Sequence, residues 1–261
     1  MAMNSDVKHW ISFSGGKGSA ATVLLAHILG YDFEMIMADT GIEDEDLWRF
    51  TDDVAKFVGK EVIILRTGKT PWDVYREKRY IGNTRTAHCS TELKTKPVMR
   101  FLNKYAGASE PLVLGMNLGE IDRIDRAALN WSPRPVKSLL CEYQWGNRFI
   151  DHLFAWFGIE LPRLYKMGFP HNNCGGFCCK AGLTQFNTLL ERLPGVYAKH
   201  EKEMGLVMKD IGDTARPFLR KKANGETQYL TLTDFRERVE RNEIDVPLYE
   251  FGGCGCFSDE L

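Results

Sequence analysis

The sequence predicts an α/β protein in which a twisted parallel sheet carries helices on both faces, followed by an irregular, cysteine-rich C-terminal portion. Three observations lead there. Short apolar runs of strand length recur near Trp10, Phe33, Val62 and Leu112. The segments between them place apolar residues at helical spacing. A glycine-rich turn, Ser14-Gly15-Gly16-Lys17-Gly18-Ser19, marks the first strand-to-helix junction. Strands separated by helices need crossover connections, which make a parallel sheet.

Taken in order, Trp10-Ile11-Ser12-Phe13 reads as a short buried strand and Ser19–Leu29 as a helix with Ala20, Val23, Leu24 and Ile28 on one face. Phe33–Ala38 is the second strand. A helix starting near Glu43 aligns Leu47, Phe50, Val54, Phe57 and Val58. Val62–Leu65 is the third strand, Ser90–Tyr105 a helix and Leu112–Leu114 the fourth strand. The pattern changes after Asn130, where Trp131-Ser132-Pro133-Arg134-Pro135 is a breaker. Beyond it, Phe149–Phe157 is an aromatic helix and Leu161–Gly182 is rich in glycine and cysteine. Gly182–Gly205 is helical with an interruption near Pro194-Gly195, and Thr233–Asn242 is a charged helix. This divides the chain into a nucleotide-binding α/β portion over residues 1–130 and a C-terminal portion over 131–261, folded back over the active face.

With 261 residues and a formal net charge of −1, the composition is that of an ordinary soluble protein and selects no partner by charge. Lys and Arg gather at Arg76–Arg100 and Arg216–Lys222, which permits a nucleic-acid partner. No apolar stretch approaches membrane-span length and no secretory signal is visible, so a cytoplasmic location without membrane contact is expected. Seven cysteines, an odd number, argue against a disulfide framework and for metal or redox chemistry in a reducing compartment.

The glycine turn carries the strongest functional signal. Glycines at a strand-to-helix junction let backbone approach a ligand closely, and the N–H groups and dipole at the following helix N-terminus favour phosphate. Lys17, Ser14 and Ser19 add charge and donors. Asp39-Thr40-Gly41, just past the second strand, is placed to reach a ribose or adenine group or to cap a helix. Lys94, Lys96 and Arg123, with Arg126 nearby, are candidate anion contacts. Glu120 is suited to orienting an arginine.

The glycine turn resembles the Ser-Gly-Gly-x-Asp-Ser/Thr loop of the ATP pyrophosphatase (PP-loop, adenine nucleotide alpha hydrolase-like) superfamily, with Gly18 where ATP-cleaving members carry aspartate. Asp39-Thr40-Gly41, Cys89 followed by Lys94-Thr95-Lys96-Pro97, Gly115 with Glu120 and Arg123, and Leu161–Pro170 followed by Cys174 resemble the phosphoadenylylsulfate (PAPS) reductase-like branch. The likeness runs over residues 8–182. It implies a nucleotide site at Ser14, Gly15, Gly16, Lys17, Gly18, Ser19, Asp39 and Gly115, and substrate-anion contacts at Lys94, Lys96, Glu120 and Arg123. The cofactors implied are ATP or a sulfonucleotide, a four-iron four-sulfur (4Fe-4S) cluster, and Mg2+ with the nucleotide.

Cys174-Gly175-Gly176-Phe177-Cys178-Cys179 has the spacing of soft-metal ligands. The resemblance assigns Cys89 to one ligand set and Cys174 with Cys178 or Cys179 to the other. The fourth ligand is Cys179, Cys254, Cys256 or none, and His88 stands where reductases carry a second cysteine. In the C-terminal Gly-Gly-Cys254-Gly-Cys256 arm the two thiols read either as late ligands or as catalytic nucleophiles. Cys141, after Leu139 and Leu140, reads as a buried apolar thiol. The implied function is ATP-activated thiolation, or other sulfur transfer, assisted by the cluster. Reduction of adenylylsulfate or its 3′-phosphorylated form to sulfite is the alternative, and a nucleotide-binding module without turnover the third. A sulfur or electron donor (cysteine desulfurase, thioredoxin-like protein or sulfide) is the expected partner, with a nucleic-acid acceptor in the thiolation case.

Overall fold

The computed structural model describes residues 7–223, 226–249 and 251–252. In chain order its elements are β1 (His9–Ser12), α1 (Lys17–Ile28), β2 (Phe33–Asp39), α2 (Glu45–Val58), β3 (Val62–Arg66), α3 (Pro71–Lys78), α4 (His88–Ser90), a π turn (Thr91–Thr95) and α5 (Lys96–Tyr105). There follow β4 (Leu112–Leu114), α6 (Ile121–Trp131), β5 (Val136–Lys137), α7 (Leu139–Glu142), α8 (Asn147–Phe157) and α9 (Arg163–Lys166). The described part ends with α10 (Leu183–Arg192), α11 (Pro194–Ile211), a hairpin of β6 (Leu219–Ala223) and β7 (Glu226–Leu230), and α12 (Leu232–Glu240).

β1 to β5 form one parallel sheet in the order β3-β2-β1-β4-β5, as the crossover argument required. The order reverses at β1, whose Ser12 is in register with Ile36 of β2 and Leu114 of β4. A crevice therefore opens beyond the carboxyl ends of β1 and β4, where open α/β sheets bind ligands. β1 and β4 are buried along their whole length, and such central strands read as unbroken apolar runs.

Apolar layers cover both faces. On one, Ile11, Phe13, Phe33 and Met35 pack with α1, α2 and, beyond residue 130, with Leu139, Leu140, Ile150 and Phe154. On the other, Trp10, Ile36 and Leu112 pack with Val98 and Leu102 of α5 and Ala127 and Trp131 of α6. β5, also beyond residue 130, adds to the same sheet. A separate core gathers Trp72 and Tyr75 of α3 with Phe177, Phe186, Tyr197, Phe218 and Phe235. Thus α3 ties the cysteine-rich segment to the C-terminal helices, and Arg76 adds ion pairs to Glu203 (2.8 Å) and Asp210 (3.0 Å) of α11.

Three features depart from the sequence expectations. The helix expected over Ser90–Tyr105 begins at His88 and contains the π turn, a five-residue turn of the kind common at functional sites. Pro194 starts a new helix at its N1 position, and that helix runs past Gly205 to Ile211. The structure also contains α3, β5, α6, α7, α9 and the β6–β7 hairpin, none of which the sequence reading includes.

Candidate functional site

Leaving β1, the chain turns through Gly15 at φ +68°, where an added Cβ would meet Leu47 Cγ at 2.8 Å. The Ser14 N–H donates to Ser19 Oγ (3.1 Å), and that hydroxyl donates to the Gly16 carbonyl (2.9 Å). One buried serine thereby holds the turn closed. Gly16 precedes α1 and offers no side-chain cap, so the first N–H groups of α1 are left to other partners. The Lys17 N–H finds one in the Tyr165 hydroxyl at 3.0 Å. The Lys17 ammonium pairs with Asp151 (2.8 Å) and lies 5.6 Å from the Tyr165 ring centroid.

The crevice beside this turn has a volume of about 600 Å³, and its wall includes Ser14, Gly16, Lys17, Gly18, Ser19, Gly115, Lys94, Glu120 and Arg123. Nearly all the nucleotide and anion residues expected from sequence are thus brought together. Gly15 supports the wall from behind through its carbonyl, which accepts from Asn172 Nδ2 at 2.9 Å. Glu120 pairs with Arg123 and closes its own turn by accepting from the Asn117 N–H. Two expected residues stand apart. Asp39 accepts from the Gly41 N–H (2.8 Å) and from Arg66 Nε (3.0 Å), so its carboxylate braces the β2 end. Lys96 pairs with Glu92 at 2.8 Å, and Lys78 and Lys96 together hold the Glu92 carboxyl at a pKa of about 2.

Gly18 is explained by packing. A Cβ there would lie 2.4 Å from the Gly115 carbonyl oxygen, so no side chain, the aspartate of the Ser-Gly-Gly-x-Asp-Ser/Thr loop included, has room at this position.

Cys89, Cys174, Cys178 and Cys179 line one narrow cavity of about 30 Å³ together with Tyr75 and Lys94. Cys89 and Cys179 approach to 3.9 Å between sulfurs, and the Tyr75 hydroxyl donates to Cys89 at 3.4 Å. Contacts to Cys178 and Cys89, with burial, raise the Cys179 thiol pKa well above its ordinary value. Among the described residues no three His, Cys, Asp or Glu side chains stand close enough to share a single ion. The four thiols are of the type and number that a four-iron cluster takes. Cys254 and Cys256 lie outside the described residues. Cys141 is half-buried, not fully buried, and its thiol is 3.7 Å from the Met116 carbonyl.

Lys94 joins the two features. It is 7% exposed and lines both the crevice and the cysteine cavity. The π turn produces this placement, since its widened backbone carries Leu93, Lys94 and Thr95 inward as three consecutive buried residues.

Several residues of the site escaped the sequence reading. Tyr165 and Asn172 reach the glycine turn from sequence separations of 148 and 157 residues. Glu43 accepts from the Thr40 hydroxyl (2.7 Å) and from the Cys174 N–H (2.6 Å). Burial raises its pKa, while Lys94 and these two hydrogen bonds oppose the rise. Only the Tyr165 motif carried a sequence signal.

Residues 8–115 match the model of the phosphoadenosine phosphosulfate reductase domain. Two uncharacterized proteins of Methanocaldococcus jannaschii are similar in sequence. One is 35% identical over 40% of this chain and 25% of its own length, the other 24% identical over 73% and 40%. The chain therefore spans between a quarter and two fifths of the curated relatives it matches. Among solved structures, the U34-tRNA thiolase NcsA of Methanococcus maripaludis with its [4Fe-4S] cluster aligns at a TM-score of 0.50 and 16% identity, covering 79% of this chain and 74% of that one. A phosphoadenylyl-sulfate reductase of Candida auris aligns at 0.46 and 11%, covering 64% and 80%. The sheet order and flanking helices are those of the adenine nucleotide alpha hydrolase-like fold. No helix among the described residues is long and apolar enough to cross a membrane.

Proposed function

We propose that the chain, whose residues 8–115 match the phosphoadenosine phosphosulfate reductase domain, is an enzyme that activates an acceptor with ATP for sulfur transfer. The observation that carries this reading is the shared wall at Lys94, which puts four thiols beside the nucleotide crevice. The remaining N–H groups at the start of α1, with the Lys17 ammonium and the Ser14 hydroxyl, bind the polyphosphate. Arg123 and Lys94 neutralise the charge that develops as the acceptor oxygen attacks the α-phosphorus and pyrophosphate leaves. Sulfur then displaces AMP from the activated acceptor. The 4Fe-4S reading of the cysteines is supported by the donor set and by the cluster of the fold neighbour NcsA. Cys89, Cys174, Cys178 and Cys179 would hold the cluster, and sulfur would be bound and handed on at an iron that one of these thiolates leaves. Cys254 and Cys256, the sulfur donor and the nucleic-acid acceptor belong to the same proposal.

Reduction of a sulfonucleotide is the second reading, favoured by the family model itself. One experiment separates the two. Anaerobically prepared protein is incubated with ATP, sulfide and bulk tRNA, or with adenylylsulfate or its 3′-phosphorylated form plus a thiol reductant. Pyrophosphate and sulfite are measured in each. Pyrophosphate from ATP supports activation. Sulfite alone overturns it in favour of reduction, and neither product leaves a binding module without turnover.

A further inference from the structure

We propose that Glu43 is the positioning residue that sets Cys174 among the other three thiols. The inference rests on the cysteine-site reading above and assigns a role to a residue outside the nucleotide and ligand sets.

Glu43 lies between β2 and α2, past the carboxyl end of the strand, and its two oxygens are used separately. Oε1 accepts from the Thr40 hydroxyl at 2.7 Å, and Oε2 accepts from the Cys174 N–H at 2.6 Å, 131 residues away in sequence. Glu43 is not needed to cap α2, because Asp44 is the N-cap and accepts from the Asp46 N–H at 3.0 Å. Its long-range contact is therefore free to serve Cys174.

Cys174 needs such a contact. It sits at φ +55° and ψ +35°, followed by Gly175 at φ +58° and Gly176 at φ +84°. A left-handed conformation is costly for a residue with a side chain and persists only where its surroundings impose it. Here they do so at two adjacent points. A Cβ on Gly175 would lie 2.5 Å from the Ile42 carbonyl oxygen, so the two segments touch backbone to backbone because residue 175 is glycine. One residue on either side of that touch, the Glu43 carboxylate grips the Cys174 N–H. Thr40 completes the arrangement, its hydroxyl 4.0 Å from the Cys174 sulfur. The result is a thiol whose backbone is pinned to the β2–α2 turn, on the side where the other three thiols and Lys94 line the cavity.

The test compares wild type, Glu43→Ala and Glu43→Gln. The amide oxygen of Gln still accepts from the Cys174 N–H, and the Thr40 hydroxyl can rotate to accept from the amide nitrogen. In metal-free protein, alkylation of each cysteine is followed by mass spectrometry. Cys174 is expected to react at least about five times faster in Glu43→Ala, with Cys141 unchanged and Glu43→Gln within about twofold of wild type. After anaerobic reconstitution, iron and sulfide per chain and the visible absorption fall by half or more in Glu43→Ala alone. Gly175→Ala, which breaks the neighbouring anchor, is the second variant should Glu43→Ala not fold, and predicts the same selective exposure of Cys174. An unchanged Cys174 rate in Glu43→Ala, or equal disturbance by Ala and Gln, overturns the inference. If wild type takes up no iron while Cys174 still becomes selectively reactive, the positioning role stands and the cluster reading falls.

Discussion

Gly18 and Gly115 are in backbone contact across the crevice floor. A Cβ on Gly18 would meet the Gly115 carbonyl oxygen at 2.4 Å, and one on Gly115 would meet the Ser19 nitrogen and Cα at 2.4 Å. The start of α1 is thereby seated on the end of β4. Overpacking of this kind costs about 1–3 kcal/mol. Gly18→Ala and Gly115→Ala are each expected to lower the denaturant midpoint accordingly and to weaken ATP binding at least about tenfold. Calorimetry at a temperature where both variants are folded checks the second effect.

Lys17 separates stability from binding. Its pair with Asp151 is partly solvated, the two side chains being 26% and 50% exposed, and such pairs contribute at most about 1 kcal/mol. Lys17→Ala should therefore leave the unfolding midpoint nearly unchanged. Hydrogen bonds to charged groups contribute about 1.5–3 kcal/mol, so the same variant should weaken ATP binding about 10- to 100-fold. Equal small effects on both would mean that Lys17 serves only Asp151.

The cysteines divide into two groups. Cys89→Ser, Cys174→Ser, Cys178→Ser and Cys179→Ser are each expected to lower iron and sulfide by half or more after anaerobic reconstitution. Cys141→Ser, lying against Met116, should leave both unchanged. Loading also requires the narrow cavity to widen, so alkylation of these four thiols should slow when the cluster is bound.

His200 gives the fold an acid-side weakness. It is buried against Phe177, with ring centroids 4.1 Å apart, and its Nδ1 accepts from Trp72 Nε1 at 3.0 Å. Burial lowers its pKa from 6.5 to about 4. The unfolded chain then binds the extra proton first, so the contribution of neutral His200 is intact above pH 6.5 and is lost as pH falls towards 4. Between pH 7 and pH 5 the loss is about 2 kcal/mol, read as a lower urea midpoint. His200→Phe should flatten that part of the pH profile, even though it leaves the Trp72 N–H unpaired and lowers stability at pH 7.

The sheet was legible because its buried strands are unbroken apolar runs bounded by turns, and the glycine turn because only close backbone approach calls for that many glycines. α3 was too short, at eight residues, to display a helical period. α6 begins within the Gly115–Arg123 stretch, whose reading rests on resemblance and not on helical spacing. β6 and β7 pair polar residues such as Lys221 with Gln228, so no apolar run announced them. Within the site, the glycine turn, Gly115, Arg123 and the cysteines were visible as motifs. Asp39 and Lys96 were expected there too, yet Arg66 and Glu92 engage them locally. Glu43 looked like one more acid before a helix, and its partner Cys174 is a contact that only the folded chain creates.

Whether the glycine turn holds a nucleotide is decided by equilibrium binding of ATP to the full chain and to a Ser14→Ala/Lys17→Ala variant, measured by calorimetry without air. Wild type is expected to bind one nucleotide per chain, and the variant to lose at least tenfold in affinity. Failure of wild type to bind either ATP or a sulfonucleotide at millimolar concentration, or binding indifferent to both substitutions, would contradict a nucleotide site at that turn.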